Sequence, residues 1–149
     1  MTQPMRKVIV VDDQAVVRRS VVRSLRLAGL EVRDFASAEE LLNVPSEWQT
    51  DCFLFDVHLT GMSGPNLYKA LRSKGVQTPV VFMTADASAF GPGAIPEPGV
   101  AACLLKPFDR TILLQAIDHA MSLDRQAQDQ SSSNESIAAE AKRSVQGDS

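Results

Sequence analysis

The chain has 149 residues, of which 44% are hydrophobic and 22% are charged, and its formal net charge is −3. These values are ordinary for one soluble globular domain, and the small negative charge gives no indication of a nucleic-acid-binding surface. No apolar run approaches the roughly 20 residues that a membrane span needs. The first segment, MTQPMRKVIVVDD, reaches acidic residues too early for a signal peptide, so we expect a cytoplasmic protein.

Strand-like apolar runs alternate with helix-like patterns along the chain, which is typical of βαβ units and a parallel sheet. The run KVIVVDD predicts a first strand that ends in acids. The segment 14–29 then predicts an amphipathic helix that stops at Gly29. LEVRDFAS predicts the second strand, and Ser37 with Glu40 predicts a capping box for a short second helix.

The second half of the chain continues this alternation. CFLFD, at 52–56, predicts a third strand that is buried on both faces, and Pro65 suits the first turn of the helix that follows. TPVVFMTA predicts the fourth strand and GVAACLL the fifth. Asp109 is placed to cap a last helix.

Two segments depart from the alternation. Residues 89–99 lie where a fourth crossover helix belongs, yet they include three prolines and three glycines, so any helix there should be short or broken. Residues 125–149 are polar, with Ile137 and Val145 as the only large apolar residues, and we predict a disordered tail. We therefore expect one domain over 6–124, followed by the tail.

Polar side chains follow the strands at the points where the strands are predicted to end. Asp12 and Asp13 end the first strand, Asp56 the third, Thr84 the fourth and Lys106 the fifth. Taken singly, each has a structural explanation as a helix cap, a strand-end hydroxyl or a solvated lysine. In a parallel α/β sheet, however, ligands bind outside the carboxyl ends of the strands. Five such placements at one edge favour a functional site.

These residue types predict phosphoryl chemistry with a metal. Clustered carboxylates repel one another unless a cation lies among them, and hard oxygen ligands suit Mg²⁺. Asp12 and Asp13 are therefore the predicted metal ligands. Asp56, alone on the central strand, is the predicted nucleophile, because a carboxylate can form an aspartyl phosphate. Lys106 and Thr84 would bind the phosphoryl oxygens.

The motifs VIVVDD, FLFDVHLTGMSG, VVFMTA and LLKPF, in this order, resemble the receiver domain of two-component response regulators. The resemblance implies a flavodoxin-like, doubly wound, five-stranded parallel sheet in the order 2-1-3-4-5, here with an irregular fourth crossover. It implies Asp56 as the phosphorylation site. It further implies that Mg²⁺ is held by Asp12, Asp13, Asp56 and the backbone carbonyl of His58.

The same resemblance implies catalytic roles for Asp56, Thr84 and Lys106. It implies switch or structural roles for Thr84, Ala85, Cys103 and Pro107, and a cis peptide bond between Lys106 and Pro107. Family members usually carry Phe or Tyr where this chain has Cys103, and an intact helix where it has 89–99. We therefore expect the site chemistry to be intact and the output to pass through the loop at 85–100 rather than through an aromatic rotation.

The function implied is that of a phosphoacceptor in a phosphorelay rather than a turnover enzyme. Its partners would be a histidine kinase or histidine phosphotransfer protein and a downstream protein target, with no direct binding of nucleic acid or membrane. The main alternative is a receiver-like binding module that signals without phosphorylation, given Cys103 and the broken helix. A haloacid-dehalogenase-type phosphatase, suggested by DVHLT, is disfavoured because His58 occupies the position of the general acid.

Overall fold

Strands and helices alternate along residues 5–90 and 99–123, which are the residues that the computed structural model describes. The strands are β1 (Lys7–Val11), β2 (Glu31–Phe35), β3 (Cys52–Asp56), β4 (Val80–Thr84) and β5 (Val100–Leu105). The helices are α1 (Ala15–Leu27), α2 (Ala38–Leu42), α3 (Gly64–Ser73) and α4 (110–123), with short 3-10 helices at Pro45–Glu47 and Ala87–Phe90.

The strands form one parallel sheet in the order β2-β1-β3-β4-β5, which confirms the predicted flavodoxin-like topology. β1 and β3 are neighbours, with Val11 paired to Phe55, and Asp56 at the end of β3 pairs with Met83 of β4. Since all the strands run in the same direction, the residues that follow them emerge at a single edge of the sheet.

The two faces of the sheet are covered by different helices, as a doubly wound fold requires. Alternate residues of one strand therefore enter different cores. The core on the side of α1 and α4 includes Val8, Val10, Leu25, Leu54, Leu113 and Ile117. The core on the side of α2 and α3 includes Ile9, Val11, Leu41, Phe53, Phe55 and Leu67. β3 is buried along its whole length because it contributes to both cores.

The predicted helix ends are confirmed by their hydrogen bonds. The Ser37 hydroxyl accepts from the backbone N–H of Glu40 at 3.1 Å, at the start of α2. The Asp109 carboxylate accepts from the N–H of Ile112 at 2.9 Å, at the start of α4. Gly29 follows α1 with φ +89°, a conformation that suits glycine because it has no Cβ. Local sequence signals therefore set where these helices begin and end.

The fourth crossover is irregular where it is described. It begins as the 3-10 helix Ala87–Phe90, which overlaps only the first two residues of the segment 89–99, where a short or broken helix is predicted. The rest of that segment, 91–98, and the tail predicted over 125–149 lie outside the described residues. Within the described part of the chain, every helix is too short or too polar to cross a membrane.

Candidate functional site

Lys106 lies between two of the predicted acids. Its Nζ donates to Oδ2 of Asp56 at 2.7 Å and to Oδ2 of Asp12 at 2.9 Å. Its backbone N–H donates to the carbonyl of Thr84, which holds Lys106 against the end of β4, and its bond to Pro107 is cis, as the resemblance implied. Burial disfavours the ammonium, but the hydrogen bonds to Asp56 and Asp12 outweigh this effect and raise the pKa of Lys106. The side chain is therefore charged at neutral pH.

The two acids beside this lysine are buried. Asp12 is 0% exposed and Asp56 is 5% exposed. Each also accepts a hydrogen bond from the backbone N–H two residues later, from Gln14 to Asp12 and from His58 to Asp56, both at 2.9 Å. Burial raises the pKa of Asp12 even though Gln14 and Lys106 oppose the shift. The charged form of Asp12 is therefore under-compensated, which favours binding of a further cation.

The third acid, Asp13, is held in a different way. Its Oδ2 accepts two hydrogen bonds from Thr60, one from the backbone N–H at 3.0 Å and one from the hydroxyl at 2.8 Å. Thr60 lies in the loop after β3, whereas Asp13 directly follows Asp12 at the end of β1. The contact therefore joins the two loops that border the site.

The three carboxylates fit a small divalent cation. Asp12, Asp13 and Asp56 each offer one oxygen, and these oxygens lie within 4.8 Å of one another. Three carboxylates and the one ammonium of Lys106 leave a formal charge of −3 + 1 = −2 at the cluster. Hard oxygen donors with this charge suit Mg²⁺, which is usually bound through one or two carboxylates and keeps several of its waters. The donor set matches the metal that the sequence predicted.

Thr84 reaches the same edge of the sheet, and the described hydrogen bonds of its hydroxyl are to the backbone of Asp86. The hydroxyl accepts from the backbone N–H of Asp86 at 3.0 Å, and the side chain is completely buried. Ala85, between these two residues, is exposed. Asp86 in turn accepts from the hydroxyl and the N–H of Ser88, and these bonds lower the pKa of Asp86. Thr84 is thus placed beside the site within a local turn.

Cys103 lies on β5, next to the strand that ends in Thr84. It pairs with Phe82 of β4 and packs, half-buried, against the core on the side of α2 and α3. β5 is an edge strand, and its first four residues, 100–103, are all only partly buried. The switch role that the resemblance gave to Cys103 therefore stays a prediction.

Two residues near the site were missed by the sequence reasoning. Gly64 begins α3 so close to β3 that a Cβ atom there would overlap the backbone oxygen of Asp56. Arg18 of α1 donates to the carbonyl of Asp12 at 2.7 Å and pairs with Asp34 of β2 at 2.9 Å. Gly64 carried a sequence signal as a chain-breaking residue before a helix, whereas Arg18 resembles the other arginines of α1 and carried none.

Comparison with known proteins agrees with the fold. Residues 8–118 match the family model of the response regulator receiver domain. This range includes every residue of the site described above.

The curated relatives of the chain include transcriptional regulators and sensor histidine kinases. The transcriptional regulatory protein TdiR of Thauera aromatica is 34% identical over 122 residues, which cover 82% of this chain and 54% of TdiR. The transcriptional regulatory protein FixJ of Azorhizobium caulinodans is 33% identical over 125 residues, which cover 80% of this chain and 56% of FixJ. The chain thus spans about half the length of these relatives.

Solved structures give the same result. The chemotaxis response regulator CheY4 of Vibrio cholerae is 29% identical, with a TM-score of 0.71, and the match covers 78% of this chain and 99% of CheY4. The response regulator StyR is 32% identical, with a TM-score of 0.70, and the match covers 91% of this chain and 70% of the StyR chain.

Proposed function

The chain belongs to the response regulator receiver family, and from this premise we propose that Asp56 accepts a phosphoryl group from a histidine kinase or a histidine phosphotransfer protein. Receiver domains are signalling phosphoacceptors of two-component systems rather than turnover enzymes. One observation carries the assignment to Asp56: its carboxylate lies 2.7 Å from the Lys106 ammonium, inside a cluster of three acids at the carboxyl edge of the sheet.

The transfer is a displacement at phosphorus. An oxygen of the Asp56 carboxylate attacks the phosphorus of a phosphohistidine, a P–O bond forms, and the P–N bond breaks with its electron pair leaving on the imidazole nitrogen. The position of Asp56 at the end of a buried strand, with the His58 N–H on one oxygen, fixes the carboxylate for attack. Lys106 supplies a positive charge next to the developing acyl phosphate.

Asp12, Asp13, Asp56 and the carbonyl of His58 would hold Mg²⁺. When bound, the ion supplies charge neutralisation for the phosphoryl oxygens. The under-compensated charge on Asp12 and the oxygen donor set support this assignment.

Phosphorylation of Asp56 would change the conformation of the protein through Thr84. Its hydroxyl would leave the N–H of Asp86 and donate to a phosphoryl oxygen, which would move Ala85 and the loop beyond it. The output would then be a protein–protein interaction with a downstream target, because receiver domains interact with histidine kinases and downstream effectors. Cys103 and Pro107 would adjust to this movement as neighbouring positions on β5 and after it.

Labelling by a small phosphodonor tests the assignment. Acetyl phosphate with Mg²⁺ should add roughly 80 Da, the mass of one phosphoryl group, in an intact-mass measurement. Asp56→Ala should abolish this gain. Asp118→Asn is the matched control, because Asp118 is an exposed acid of α4 and should leave labelling unchanged.

Two results would contradict the proposal. Unchanged labelling of Asp56→Ala would show that the phosphoryl group is on another residue. Full labelling in EDTA would show that phosphorylation does not require the metal. A wild-type protein that is never labelled, by acetyl phosphate or by a phosphohistidine donor, would favour the alternative of a binding module that signals without phosphorylation.

A further inference from the structure

The loop between β3 and α3, residues 57–63, is held from outside by two carboxylates. Thr60 donates its N–H and its hydroxyl to Asp13, which lies 47 residues earlier in the chain. Met62 donates its N–H to Glu39 of α2, 23 residues earlier, at 2.7 Å. This second bond lowers the pKa of Glu39, so the carboxylate is charged at neutral pH. The loop is therefore fixed at two points by contacts that are remote in sequence.

Among the three acids of the site, Asp13 is the one whose described hydrogen bonds all come from Thr60 of this loop, whereas Asp12 and Asp56 are also bonded to Lys106. Asp12 and Asp56 are both buried and both held by Lys106. Asp13 is more exposed, and the hydrogen bonds described for its carboxylate come from Thr60. The rotamer of Asp13 is thus set by a residue outside the metal-binding set.

We propose that Thr60 is a positioning residue of the metal centre. By holding Oδ2 of Asp13 with two hydrogen bonds, it fixes the carboxylate in the orientation that keeps an oxygen within 4.8 Å of those of Asp12 and Asp56. A carboxylate has about four acceptor positions, so it can accept both bonds from Thr60 and still ligate a cation. The inference rests on the proposed function, because it needs a divalent cation at this site.

The physical basis is preorganisation. An exposed carboxylate that rotates freely must lose rotamer entropy when it binds a metal, whereas Thr60 has already restricted Asp13 before the metal arrives. Coupling of this kind is reciprocal, so a bound cation should in turn stabilise the Thr60–Asp13 contact and order residues 57–63. Metal binding and loop order would then support each other before any phosphoryl transfer.

The test measures binding of Mn²⁺, as a paramagnetic substitute for Mg²⁺, by electron paramagnetic resonance with no phosphodonor present. Thr60→Val removes the hydroxyl but keeps the shape, and we expect its Mn²⁺ affinity to fall about tenfold, as is typical when an orienting partner of a metal ligand is lost. Thr60→Ser keeps a hydroxyl and should restore most of the affinity. Thr78→Val is the matched control, because Thr78 precedes β4 at the opposite edge of the sheet.

Hydrogen exchange gives a second readout. Mg²⁺ should increase the protection of amides 57–63 in the wild-type protein and increase it much less in Thr60→Val. Wild-type affinity in Thr60→Val would overturn the inference, and so would tighter binding, because Thr60 would then compete with the metal. The proposed function would survive both results. If the wild-type protein bound no Mn²⁺, the proposed metal site itself would fail, and the inference with it.

Discussion

Two of the loops at the sheet edge that carries Asp56 are held in different ways. The loop 57–63, after β3, is bonded to Asp13 and Glu39, which lie 47 and 23 residues earlier. In the loop 85–90, after β4, the described side-chain hydrogen bonds join near neighbours, and Asp86 also interacts electrostatically with His58 of the other loop. These hydrogen bonds join residues two positions apart, from Asp86 to the Thr84 hydroxyl and from Ser88 to the Asp86 carboxylate.

This difference separates the loop that would help to hold the metal from the loop that would move on phosphorylation. Contacts between remote parts of the chain give the metal-binding side a fixed shape, since moving it would break bonds to two other elements. The described hydrogen bonds within the loop 85–90 are local, so its rearrangement should break fewer bonds to remote parts of the chain. A phosphoryl group at Asp56 would therefore shift the loop after β4 more easily than the loop after β3. The predictions below test this contrast.

The largest expected effect is that of Gly64→Ala. A Cβ at Gly64 would overlap the backbone oxygen of Asp56, the last residue of β3, and approach the Cα of Val57 to 3.2 Å. These backbone atoms cannot move cheaply, because Asp56 is paired in the sheet and the Val57 N–H donates to the carbonyl of Met83. We expect the free energy of unfolding to fall by about 3 kcal/mol, at the upper end of overpacking costs. Urea denaturation should show this as a lower midpoint with an unchanged slope.

Gly75→Ala is the matched control for that change. Gly75 ends the same helix with φ +85°, and a Cβ there would have no atom within 4 Å. Its cost should be about 1 kcal/mol, from the left-handed backbone conformation alone. Equal losses in the two variants would mean that the β3–α3 junction is not tightly packed, and the contrast between the two loops would lose its basis.

Asp12→Asn should have opposite effects on stability and on metal binding. Burial raises the pKa of Asp12, which means that the charged carboxylate is less stable in the folded protein than in the unfolded chain. The neutral amide should therefore raise the thermal midpoint by a few degrees in EDTA. The same change removes one metal ligand, so added Mg²⁺ should raise the midpoint of the wild-type protein and raise that of the variant much less. A lower midpoint in EDTA would show that the bond to Lys106 outweighs the cost of burial.

The residues of the site were predictable because the topology collects them. Once the alternation of strands and helices indicates a parallel sheet, Asp12, Asp56 and Lys106 must meet at its carboxyl edge, and the structure places them within hydrogen-bonding distance. Helix starts were predictable for a different reason, because a cap such as Asp109 bonds a backbone N–H only three residues away. Helix caps, which depend on near neighbours, and residues at the carboxyl ends of parallel strands, which the topology brings together, can therefore be predicted from the sequence.

The contacts that hold the site in shape could not be predicted. The bonds from Thr60 to Asp13 and from Met62 to Glu39 join residues with no shared periodicity, and both depend on the path of a loop. The turn that holds the Thr84 hydroxyl was missed as well, because a serine or threonine hydroxyl can choose between a local backbone partner and a remote ligand.

Glu39→Ala should loosen the loop 57–63 without changing the fold. The variant loses the acceptor of the Met62 N–H, so exchange of that amide should become faster, while Glu39→Gln keeps an acceptor and should change it less. The pKa of Glu39 lies below its ordinary value of 4.5, mainly because of this bond. The stabilising contribution of Glu39 should therefore be complete above that value and be lost as the pH falls through the lowered pKa. A Met62 amide signal that titrates at or above 4.5 would contradict the contact.

The smallest expected effect is that of Cys103→Ala on signalling. Cys103 is half-buried on an edge strand, and rotation of so small a side chain changes the buried apolar area by a few tens of Å² at most. At about 25 cal/mol per Å², this amounts to roughly 1 kcal/mol or less, too little to carry the switch. Hydrogen exchange with and without beryllofluoride should therefore show its main change in amides 85–90, equally in the wild-type protein and in Cys103→Ala. Thr84→Ala should lose that change, because it lacks the hydroxyl that would leave Asp86. A change centred on Cys103 and α4, with 85–90 unaltered, would mean that the edge strand carries the signal and that the weakly held loop does not.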